Sequence, residues 1–379
     1  MIGYIWEHLR WPHFTYDREA IMQILVNTKY VQGALDNAAN LLSHDARVNF
    51  TSRMITAETM QSSEIEGENL DVASVWSSVS HRLGIPVSPL KKKENEEHIV
   101  DIVFDALHDK QPMTTDRIFS WHRNLFTGVP RKTQPSLVGT WRMSDVYIMS
   151  GRAIGKERIG YEGVPHERIE TEMAALIDWL NSEQPTGERI IQSALAHLWF
   201  VCIHPFGDGN GRIARALSDY ILALDHEDTG HYYSISAQIN RERSAYYEEL
   251  SRLSGQSSSI DVTSWLLWYA GMVERAMKIA TDSITTTIRI RQLVQAFDSQ
   301  GLNSRQISLL IKRAEGSFYG KLTTSKWAKI AKCSVDTAGR DINFLMGKGL
   351  LVRSASGGRS TSYELPENFE IMVAAMSSP

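Results

Sequence analysis

Apolar residues recur at intervals of three and four positions along most of this chain, a spacing typical of amphipathic helices. The first such run lies near the N-terminus and contains Ile21, Ile24, Leu25, Val31 and Leu35. A later segment, 190–203, is apolar on nearly every side, which predicts a helix buried at the centre of the fold. The pattern therefore predicts a mainly α-helical protein.

One segment between residues 138 and 165 departs from the helical pattern. It contains an extended apolar run followed by turn residues: Val146, Tyr147, Ile148, Met149, Ser150 and Gly151. Such a run predicts a β-hairpin. Two interpretations stay open at this point. The hairpin is an ordinary surface feature, or it is an arm whose residues Val146, Tyr147 and Ile148 pair with a strand of another protein.

The pattern changes again after Asp298. Two short helices are predicted at 325–332 and 336–348, which together resemble a helix-turn-helix. The segments 349–353 and 361–365 predict a hairpin, so that the whole is a small winged helix. Four basic residues could contact phosphates there: Arg340, Lys348, Arg353 and Arg359. DNA binding, protein binding and homodimerisation all remain open for this region.

Composition sets limits on the class of protein. The chain has 379 residues, of which 42% are hydrophobic and 22% charged, as in ordinary globular proteins. A net charge of -4 gives no basic footprint over the whole chain. Its two cysteines suit a reducing compartment, and no apolar stretch approaches a membrane span or a signal peptide. We expect a cytoplasmic protein without membrane partners.

Length and pattern together predict several parts. They are an N-terminal helical region at 1–97, a central core at 98–275, a linker helix at 276–298 and the winged-helix domain at 299–379.

The densest chemistry follows the buried helix. The segment reads His204-Pro205-Phe206-Gly207-Asp208-Gly209-Asn210-Gly211-Arg212-Ile213-Ala214-Arg215. Gly209, Asn210 and Gly211 allow backbone N–H groups to converge on a phosphate at the positive end of the next helix. Arg212 and Arg215 lie about one turn apart, so both guanidinium groups can bind terminal phosphates.

Two further residues of this segment complete a set of catalytic groups. Asp208 offers a carboxylate oxygen of the kind that Mg²⁺ prefers. His204 is the group there that can accept a proton near neutral pH. The segment lacks the Gly-Lys-Ser/Thr of a Walker A loop. A glycine-rich turn between core helices is the plain alternative, and the combination of base, acid, glycines and paired arginines argues against it.

The segment resembles the Fic signature, His-x-Phe-x-(Asp/Glu)-Gly-Asn-Gly-Arg-x-x-Arg, at every fixed position. The resemblance extends over roughly residues 1–270 and implies a helical core with a β-hairpin flap. It also implies transfer of AMP from ATP, with Mg²⁺, to a serine, threonine or tyrosine of a target protein. A phosphotransferase relative, the Doc toxin, has lysine where this chain has Gly211, so a nucleotidyl donor site is expected here.

The resemblance implies a role for each residue of the loop. His204 would remove the proton from the target hydroxyl, while Phe206 would anchor the loop in the core. Asp208 would hold Mg²⁺ between the phosphates, and Arg212 with Arg215 would neutralise the β- and γ-phosphates as pyrophosphate leaves.

A second motif lies upstream, in Ser62-Ser63-Glu64-Ile65-Glu66-Gly67. It resembles the inhibitory motif of the same family, (Ser/Thr)-x-x-x-Glu-(Gly/Asn). Ser62 and Glu66 share a helix face, and Gly67 can end the helix. We expect Glu66 to lie beside Arg215 in the γ-phosphate position, with Ser62 holding Glu66 by a hydrogen bond. The alternative is an ordinary exposed glutamate.

The segment around Asn240, Tyr246 and Tyr247 is similar to the family segment that lines the adenosine. We predict adenosine contacts for Asn240 and Tyr246, and we expect one of the two tyrosines to pack in the core.

Three functional hypotheses follow. The first is an AMP transferase inhibited by Glu66, the second is an enzyme that uses Glu66 to remove AMP, and the third is a DNA-binding regulator whose core senses nucleotide. An intact His204 argues against the third, because a sensor needs no base. ATP is the expected donor, with UTP and GTP as alternatives, and the target protein is not identified.

Overall fold

The computed structural model describes residues 3–86, 93–150, 158–182, 188–225, 232–254, 259–298, 301–314, 321–354, 361–369 and 372–373. The predicted turn residue Gly151 and the predicted phosphate contact Arg359 lie outside these ranges. The chain forms two compact units, Met1–Thr281 and Asp282–Pro379.

The first unit is built almost entirely from helices. They are α1 (Arg18–Asn40), α2 (His44–Ile65), α3 (Val72–Arg82), α4 (Glu94–His108), α5 (Thr115–Phe126), α6 (Ile169–Asn181), α7 (Arg189–Ile203), α8 (Asn210–Ala223), α9 (Ile235–Arg241), α10 (Arg243–Ser254) and the first part of α11 (Thr263–Asp298). The mainly α-helical fold class predicted from the sequence is confirmed. The N-terminal region predicted at 1–97 belongs to the same compact unit as the core.

Helix α7 forms the centre of this unit. Ala196, Leu198 and Phe200 on α7 have no exposed surface, which agrees with the prediction of a buried helix. It packs against α8, while α4 packs against α8 and α2 against α9. These contacts bring the end of α2 near the start of α8, because α8 contacts both α2 and α9.

Polar side chains define where several helices begin. Asp17 accepts hydrogen bonds from two backbone N–H groups at the start of α1, and Thr114 accepts one at the start of α5. Such capping satisfies N–H groups that have no partner within the helix. Helix α8 begins differently, directly after Gly209, whose φ of 83° lies in the left-handed region. That helix start is therefore shaped by glycine and not by a side-chain cap.

The predicted hairpin is present. Strand β1 (Tyr147–Ser150) pairs with strand β2 (Arg158–Glu162) in antiparallel fashion, with an irregularity between Ile148 and Met149. The N-terminal segment packs on this hairpin, since the Trp6 Nε1 donates a hydrogen bond to the carbonyl of Glu162 at 2.8 Å. Tyr4 and Tyr161 also make an edge-on ring contact there.

The second unit contains the end of α11 and the helices α12 (Ser304–Ala314), α13 (Thr324–Ile330) and α14 (Val335–Gly347). Strands β3 (Val352–Arg353) and β4 (Tyr363–Glu364) form an antiparallel pair. The two helices expected at 325–332 and 336–348 thus lie within two residues of α13 and α14. The winged-helix assignment, DNA binding and homodimerisation remain predictions from the sequence.

None of the helices in the part of the chain that the structure describes combines the length and apolar character needed to cross a membrane.

Candidate active site

The turn between α7 and α8 gathers the predicted catalytic residues. His204 ends α7 in the left-handed conformation, with φ 53° and ψ 58°, and its N–H still donates to the carbonyl of Phe200 at 2.9 Å. A non-glycine residue rarely adopts this conformation, and such residues are frequent at functional sites. The turn redirects the chain at His204, so its side chain is presented beside the loop that follows.

Arg142 holds the start of the loop, a role that the sequence analysis missed. Its guanidinium donates to the carbonyls of His204 at 2.8 Å and Ser144 at 2.7 Å, and also to that of Val164. A fourth, longer contact reaches the carbonyl of Ile203 at 3.4 Å. The Arg142 side chain is only 4% exposed. The bonds to Ile203 and His204 satisfy carbonyl groups that the end of α7 would otherwise leave without partners.

The middle of the loop is anchored by ring stacking. Phe206 is fully buried and stacks on His122 of α5, with ring centroids 3.8 Å apart and an interplanar angle of 7°. The Gly139 N–H donates to His122 Nδ1 at 2.8 Å, so Nε2 carries the proton and donates to the carbonyl of Asp208 at 3.1 Å. Desolvation lowers the pKa of His122 to about 4, so this ring is neutral and structural. The predicted anchoring role of Phe206 thus has a visible partner.

Asn210 closes the loop on itself. Its side-chain oxygen accepts from the Phe206 N–H at 3.0 Å, and its side-chain NH₂ donates to the Phe206 carbonyl at 2.8 Å. Both polar groups of the Asn210 side chain therefore stabilise the conformation of the loop. The backbone N–H of Asn210 is then the group that could face a phosphate. At Gly209 a Cβ would lie 2.8 Å from the Leu125 Cδ1, so both space and the positive φ require glycine.

His204 is neutral at physiological pH. Desolvation and the positive charge of Arg142 lower its pKa to about 4. Its Nδ1 lies 3.3 Å from the carbonyl of Val201, and because a carbonyl only accepts, Nδ1 carries the proton. The other ring nitrogen, Nε2, is then the acceptor. This tautomer is the one that a general base needs.

The base of the hairpin lies against His204. A Cβ on Gly163, directly after β2, would lie 3.2 Å from the His204 Cβ and 2.9 Å from the Val146 Cγ1. Tyr147 and Ile148, the other predicted flap residues, expose 49% and 36% of their surface. The hairpin therefore connects an exposed pair of apolar side chains to the neighbourhood of the candidate base.

Arg215 is fully buried and bound by the end of α2. Its Nη2 donates to the Glu66 Oε1 and to the Ser62 carbonyl, both at 2.8 Å, and its Nε donates to the Ser62 Oγ at 3.0 Å. The expected pairing of Glu66 with Arg215 is present. Ser62 differs from the expectation. Its hydroxyl binds Arg215 and not Glu66, because the Arg215 guanidinium lies between the side chains of Ser62 and Glu66.

The Glu66 carboxylate also lies directly in front of the glycine loop. A Cβ on Gly211 would be 2.2 Å from the Glu66 Oε1. The carboxylate thus occupies the space beside the first turn of α8, where an anion would meet backbone N–H groups. Gly67 follows with φ 82° and ends α2 as the sequence predicted.

A second carboxylate, Glu68, binds Arg212. The Arg212 Nη1 contacts both carboxylate oxygens, at 2.7 and 2.6 Å. The Asp208 Oδ1 is farther, 3.7 Å from the Arg212 Nη2. Glu68 was not predicted from the sequence. Glu68 lies two residues after Glu66, just beyond Gly67, where the chain reverses. That position in the sequence could have indicated Glu68 as a second partner of the loop arginines.

Asp208 fits a role as a metal ligand. Its side chain is 57% exposed, and one oxygen accepts from the Gly209 N–H at 2.6 Å. One accessible carboxylate next to a phosphate site matches the usual Mg²⁺ environment. A separate group of Asp145, His166 and Glu167 brings three possible ligand atoms within 4.8 Å of one another. The His166 Nδ1 lies 3.0 Å from the Asp145 Oδ1 and 3.4 Å from the Glu167 Oε2, so contacts among the three side chains account for that cluster.

A comparison with protein families assigns this loop. Residues 112–222, which include α5, the hairpin, α7 and the loop, match the model described as "Fic/DOC family". The chain contains a Fic/DOC domain. A second model, described as "Domain of unknown function (DUF4172)", matches residues 4–85 and thus includes α2 and Glu66.

Two curated relatives give the level of similarity. Protein adenylyltransferase Fic from Nematostella vectensis is 26% identical over 255 residues, 64% of this chain and 53% of that protein. Protein adenylyltransferase fic-1 from Caenorhabditis elegans is 28% identical over 165 residues, 42% of this chain and 30% of that protein. The chain therefore spans about half the length of the first relative and less than a third of the second.

Two solved structures share the fold. A Fic family protein from Desulfovibrio desulfuricans has a TM-score of 0.52 at 19% identity, covering 94% of this chain and 98% of that one. A Fic domain containing signaling protein from Bacteroides thetaiotaomicron has a TM-score of 0.50 at 20% identity, covering 68% and 97% respectively.

A cavity of about 680 Å³ adjoins the Fic domain along α10. Its lining includes Arg243 and Tyr247, and the Arg243 Nη2 donates to the carbonyl of Ile65 at 2.5 Å, at the end of α2. Tyr247 is 41% exposed, whereas Tyr246 is buried, with its hydroxyl 2.9 Å from the His197 Nε2. Tyr246, which we had predicted to contact adenosine, is thus the tyrosine that packs in the core.

Asn240, the other predicted adenosine contact, is not part of this cavity lining. Its side-chain NH₂ donates to the Gln61 Oε1 at 2.9 Å, which links α9 to α2. Within the described residues, Asn240 therefore supports the position of α2.

A buried acidic pair lies behind Arg215. Glu58 of α2 is 1% exposed and accepts from the Ser234 hydroxyl at 2.6 Å and from the Ser236 N–H at 3.0 Å. Asp219 of α8 is equally buried, and desolvation together with the charge of Glu58 raises its pKa well above the ordinary value. Helix α2 is thus held against α8 and α9 by a carboxyl pair as well as by Glu66.

Proposed function

We propose that this chain transfers AMP from ATP to a hydroxyl group of a target protein, and that Glu66 inhibits the reaction. One observation carries the proposal: the neutral His204 adjoins a loop whose two arginines are each bound to a carboxylate. Those carboxylates stand where an anionic substrate would bind. The adenylyltransferase names of the two relatives support the same reaction, although the chain spans only part of each.

The chemical step follows from the position of His204. Its Nε2 accepts the proton of a serine, threonine or tyrosine hydroxyl as the hydroxyl oxygen attacks the α-phosphorus of ATP. The new bond joins that oxygen to the α-phosphorus, and the bond between the α-phosphorus and the bridging oxygen to the β-phosphate breaks. AMP remains on the target and pyrophosphate leaves. A general base with a low pKa is already deprotonated, so no activation of His204 is required.

Arg212 and Arg215 bind the negative charge of the leaving pyrophosphate once Glu68 and Glu66 have moved away. Asp208 is the residue that would hold Mg²⁺, which would supply further charge neutralisation of the phosphates when bound. The N–H groups at the start of α8 add a fixed positive potential. Most of the rate enhancement then comes from positioning and charge stabilisation, as in other phosphate chemistry.

The exposed apolar residues Tyr147 and Ile148 suggest how a target is bound. A hairpin edge can pair with an extended segment of another protein through backbone hydrogen bonds, with little dependence on its sequence. Since the base of the hairpin contacts His204, a paired segment would carry its hydroxyl toward the base. The cavity along α10, with Tyr247 in its lining, is the proposed site of the adenosine.

The type of group transferred is tested with two labels. Glu66→Gly is incubated with Mg²⁺ and ATP labelled at either the α- or the γ-phosphate, and label on protein is followed. Label from the α-phosphate alone supports AMP transfer. Label from the γ-phosphate would instead indicate phosphoryl transfer and would contradict AMP transfer. If neither label is transferred while the variant still binds ATP, the reverse reaction or nucleotide sensing becomes the better account.

A further inference from the structure

The contact between Arg212 and Glu68 is the closest ion pair of the Fic loop. The Arg212 side chain is only 4% exposed, and a single nitrogen, Nη1, contacts both Glu68 oxygens within 2.7 Å. Hydrogen bonds between charged groups are stronger than those between neutral groups, and a buried guanidinium loses its hydration to form them. Arg212 is therefore already neutralised in this structure, just as Arg215 is neutralised by Glu66.

The end of α2 explains how both carboxylates reach α8. The Gly67 N–H donates to the Glu64 carbonyl at 2.9 Å, and the Glu68 N–H donates to the Ser63 carbonyl at 3.0 Å. This pair of bonds, with Gly67 in the left-handed conformation, reverses the chain at the helix end. Glu66 lies before the reversal and Glu68 after it, so the two side chains approach neighbouring arginines of the same helix.

We propose that Glu68 is a second inhibitory carboxylate, which competes with the terminal phosphates of ATP for Arg212. This inference rests on the proposed function, because it concerns the same nucleotide site. Glu66 blocks the space in front of Gly211 and occupies Arg215, while Glu68 occupies Arg212. ATP binding with full phosphate contacts requires that both carboxylates leave their arginines.

Removal of Glu66 alone therefore releases the site only in part. Arg215 becomes available to phosphate, but Arg212 still has Glu68 as its partner. The Glu68 side chain is 43% exposed, so solvent weakens the pair and the expected effect is moderate. An exposed or half-exposed ion pair corresponds to a change in affinity of up to about five-fold.

A merely structural role for Glu68 predicts the opposite outcome. If Glu68 serves to hold Arg212 in position for phosphate, its neutralisation lowers the affinity for ATP. Glu64 provides a matched control for charge, because it is exposed on the last turn of the same helix and accepts a hydrogen bond from Gln61 at 2.8 Å. Its substitution removes one negative charge nearby without freeing either arginine.

The experiment measures the Kd of Mg²⁺–ATP by titration calorimetry for three full-length variants. They are Glu66→Gly, Glu66→Gly/Glu68→Gln and Glu66→Gly/Glu64→Gln. We expect Glu68→Gln to lower the Kd by about three- to five-fold relative to Glu66→Gly, and Glu64→Gln to change it by less than about two-fold. Adenosine, which lacks phosphates, should bind all three variants equally. A fourth variant, Glu66→Gly/Glu68→Ala, repeats the test with a side chain that accepts no hydrogen bond.

An unchanged or raised Kd for both Glu68 variants would overturn the inference, as would an equal gain in the Glu64 control or a gain shared by adenosine. Labelling from α-labelled ATP separates this result from the proposed function. If label is transferred but the Glu68 variants do not change the Kd, AMP transfer is supported and the inhibitory role of Glu68 is excluded. If the Glu68 variants bind ATP more tightly but no label is transferred, competition for Arg212 is supported and AMP transfer is contradicted.

Discussion

Arg142 is expected to hold the catalytic loop in place, and Arg142→Met tests this. The substitution keeps an unbranched side chain of comparable length but removes every hydrogen-bond donor. In the native structure the guanidinium donates to the carbonyls of His204, Ser144 and Val164. Methionine leaves these three carbonyls without that partner, next to His204, the proposed general base.

The expected cost follows from the number of lost bonds. Each of these three hydrogen bonds contributes about 1 kcal/mol net, so the loss of all three costs about 3 kcal/mol. A free-energy change of about 3 kcal/mol corresponds to a factor of roughly 150 in the equilibrium between closed and open loop. Arg142→Lys retains one charged donor group in place of a fork, so we expect an intermediate factor of about ten.

Cys202 offers a local assay of this opening. It lies two residues before His204, has no exposed surface, and burial raises the pKa of its thiol to about 12. It therefore reacts with a thiol reagent only when this part of α7 opens. In a Cys333→Ser background, which removes the partly exposed second cysteine, the labelling rate of Cys202 reports the open fraction.

We predict that Arg142→Met raises the labelling rate of Cys202 by about 100-fold or more, with Arg142→Lys in between. Arg131→Met is the matched control, because Arg131 is exposed, and its rate should stay within about two-fold of the parent. An increase below ten-fold for Arg142→Met, or an equal increase in the Arg131 control, would show that the clamp does not stabilise the loop.

Three further predictions concern charge and nucleotide contacts. A base works only when unprotonated, and the pKa of His204 is about 4 in a chain where the Glu66 charge raises it, so kcat/KM of Glu66→Gly should persist as the pH falls and be lost only at about pH 4 or below. A midpoint near 6.5 would refute this. Asp219 has a raised pKa in the folded protein, so its contribution to stability is largest below its unfolded pKa and declines as pH rises. The Tm of Asp219→Asn should therefore exceed that of wild type by an amount that grows between pH 5 and 8, to a few degrees in calorimetry. A difference in Tm that shrinks over this range would contradict the raised pKa of Asp219. In the Glu66→Gly background, Tyr247→Ala should weaken ATP binding about ten-fold and Tyr246→Phe by less than two-fold, as measured by calorimetry, and the reverse order would exclude the α10 cavity as the adenosine site.

The contiguous part of the site was predictable from the sequence. The loop of residues 204–215 carries its glycines, base and arginines within twelve positions, so local geometry alone brings them together. Glu66 was predicted through its resemblance to the inhibitory motif of the same family, and Gly67 of that motif has the positive φ that ends α2. The hairpin and the helices α13 and α14 of the second unit also followed from local patterns.

The supporting residues lie far from the loop in sequence, which explains why they were missed. His122 contacts a residue 86 positions away, Arg142 one 62 positions away, and Arg212 is bound by a glutamate 144 positions away. Such pairs depend on which helix faces meet, and no local pattern specifies that. The sequence did not show which of Tyr246 and Tyr247 is buried, for the same reason. Two adjacent aromatic residues of a helix point in different directions, and the packing of the helix decides which one enters the core.

The central claim is that AMP transfer depends on His204 and is restrained by Glu66. The most direct measurement is the initial rate of protein labelling from α-labelled ATP with Mg²⁺, for wild type, Glu66→Gly and Glu66→Gly/His204→Ala. We predict a rate for Glu66→Gly at least about ten-fold above wild type, in line with the loss of the ion pair between Glu66 and the buried Arg215, and no label on the double variant. Equal rates for wild type and Glu66→Gly, or undiminished labelling without His204, would contradict the account.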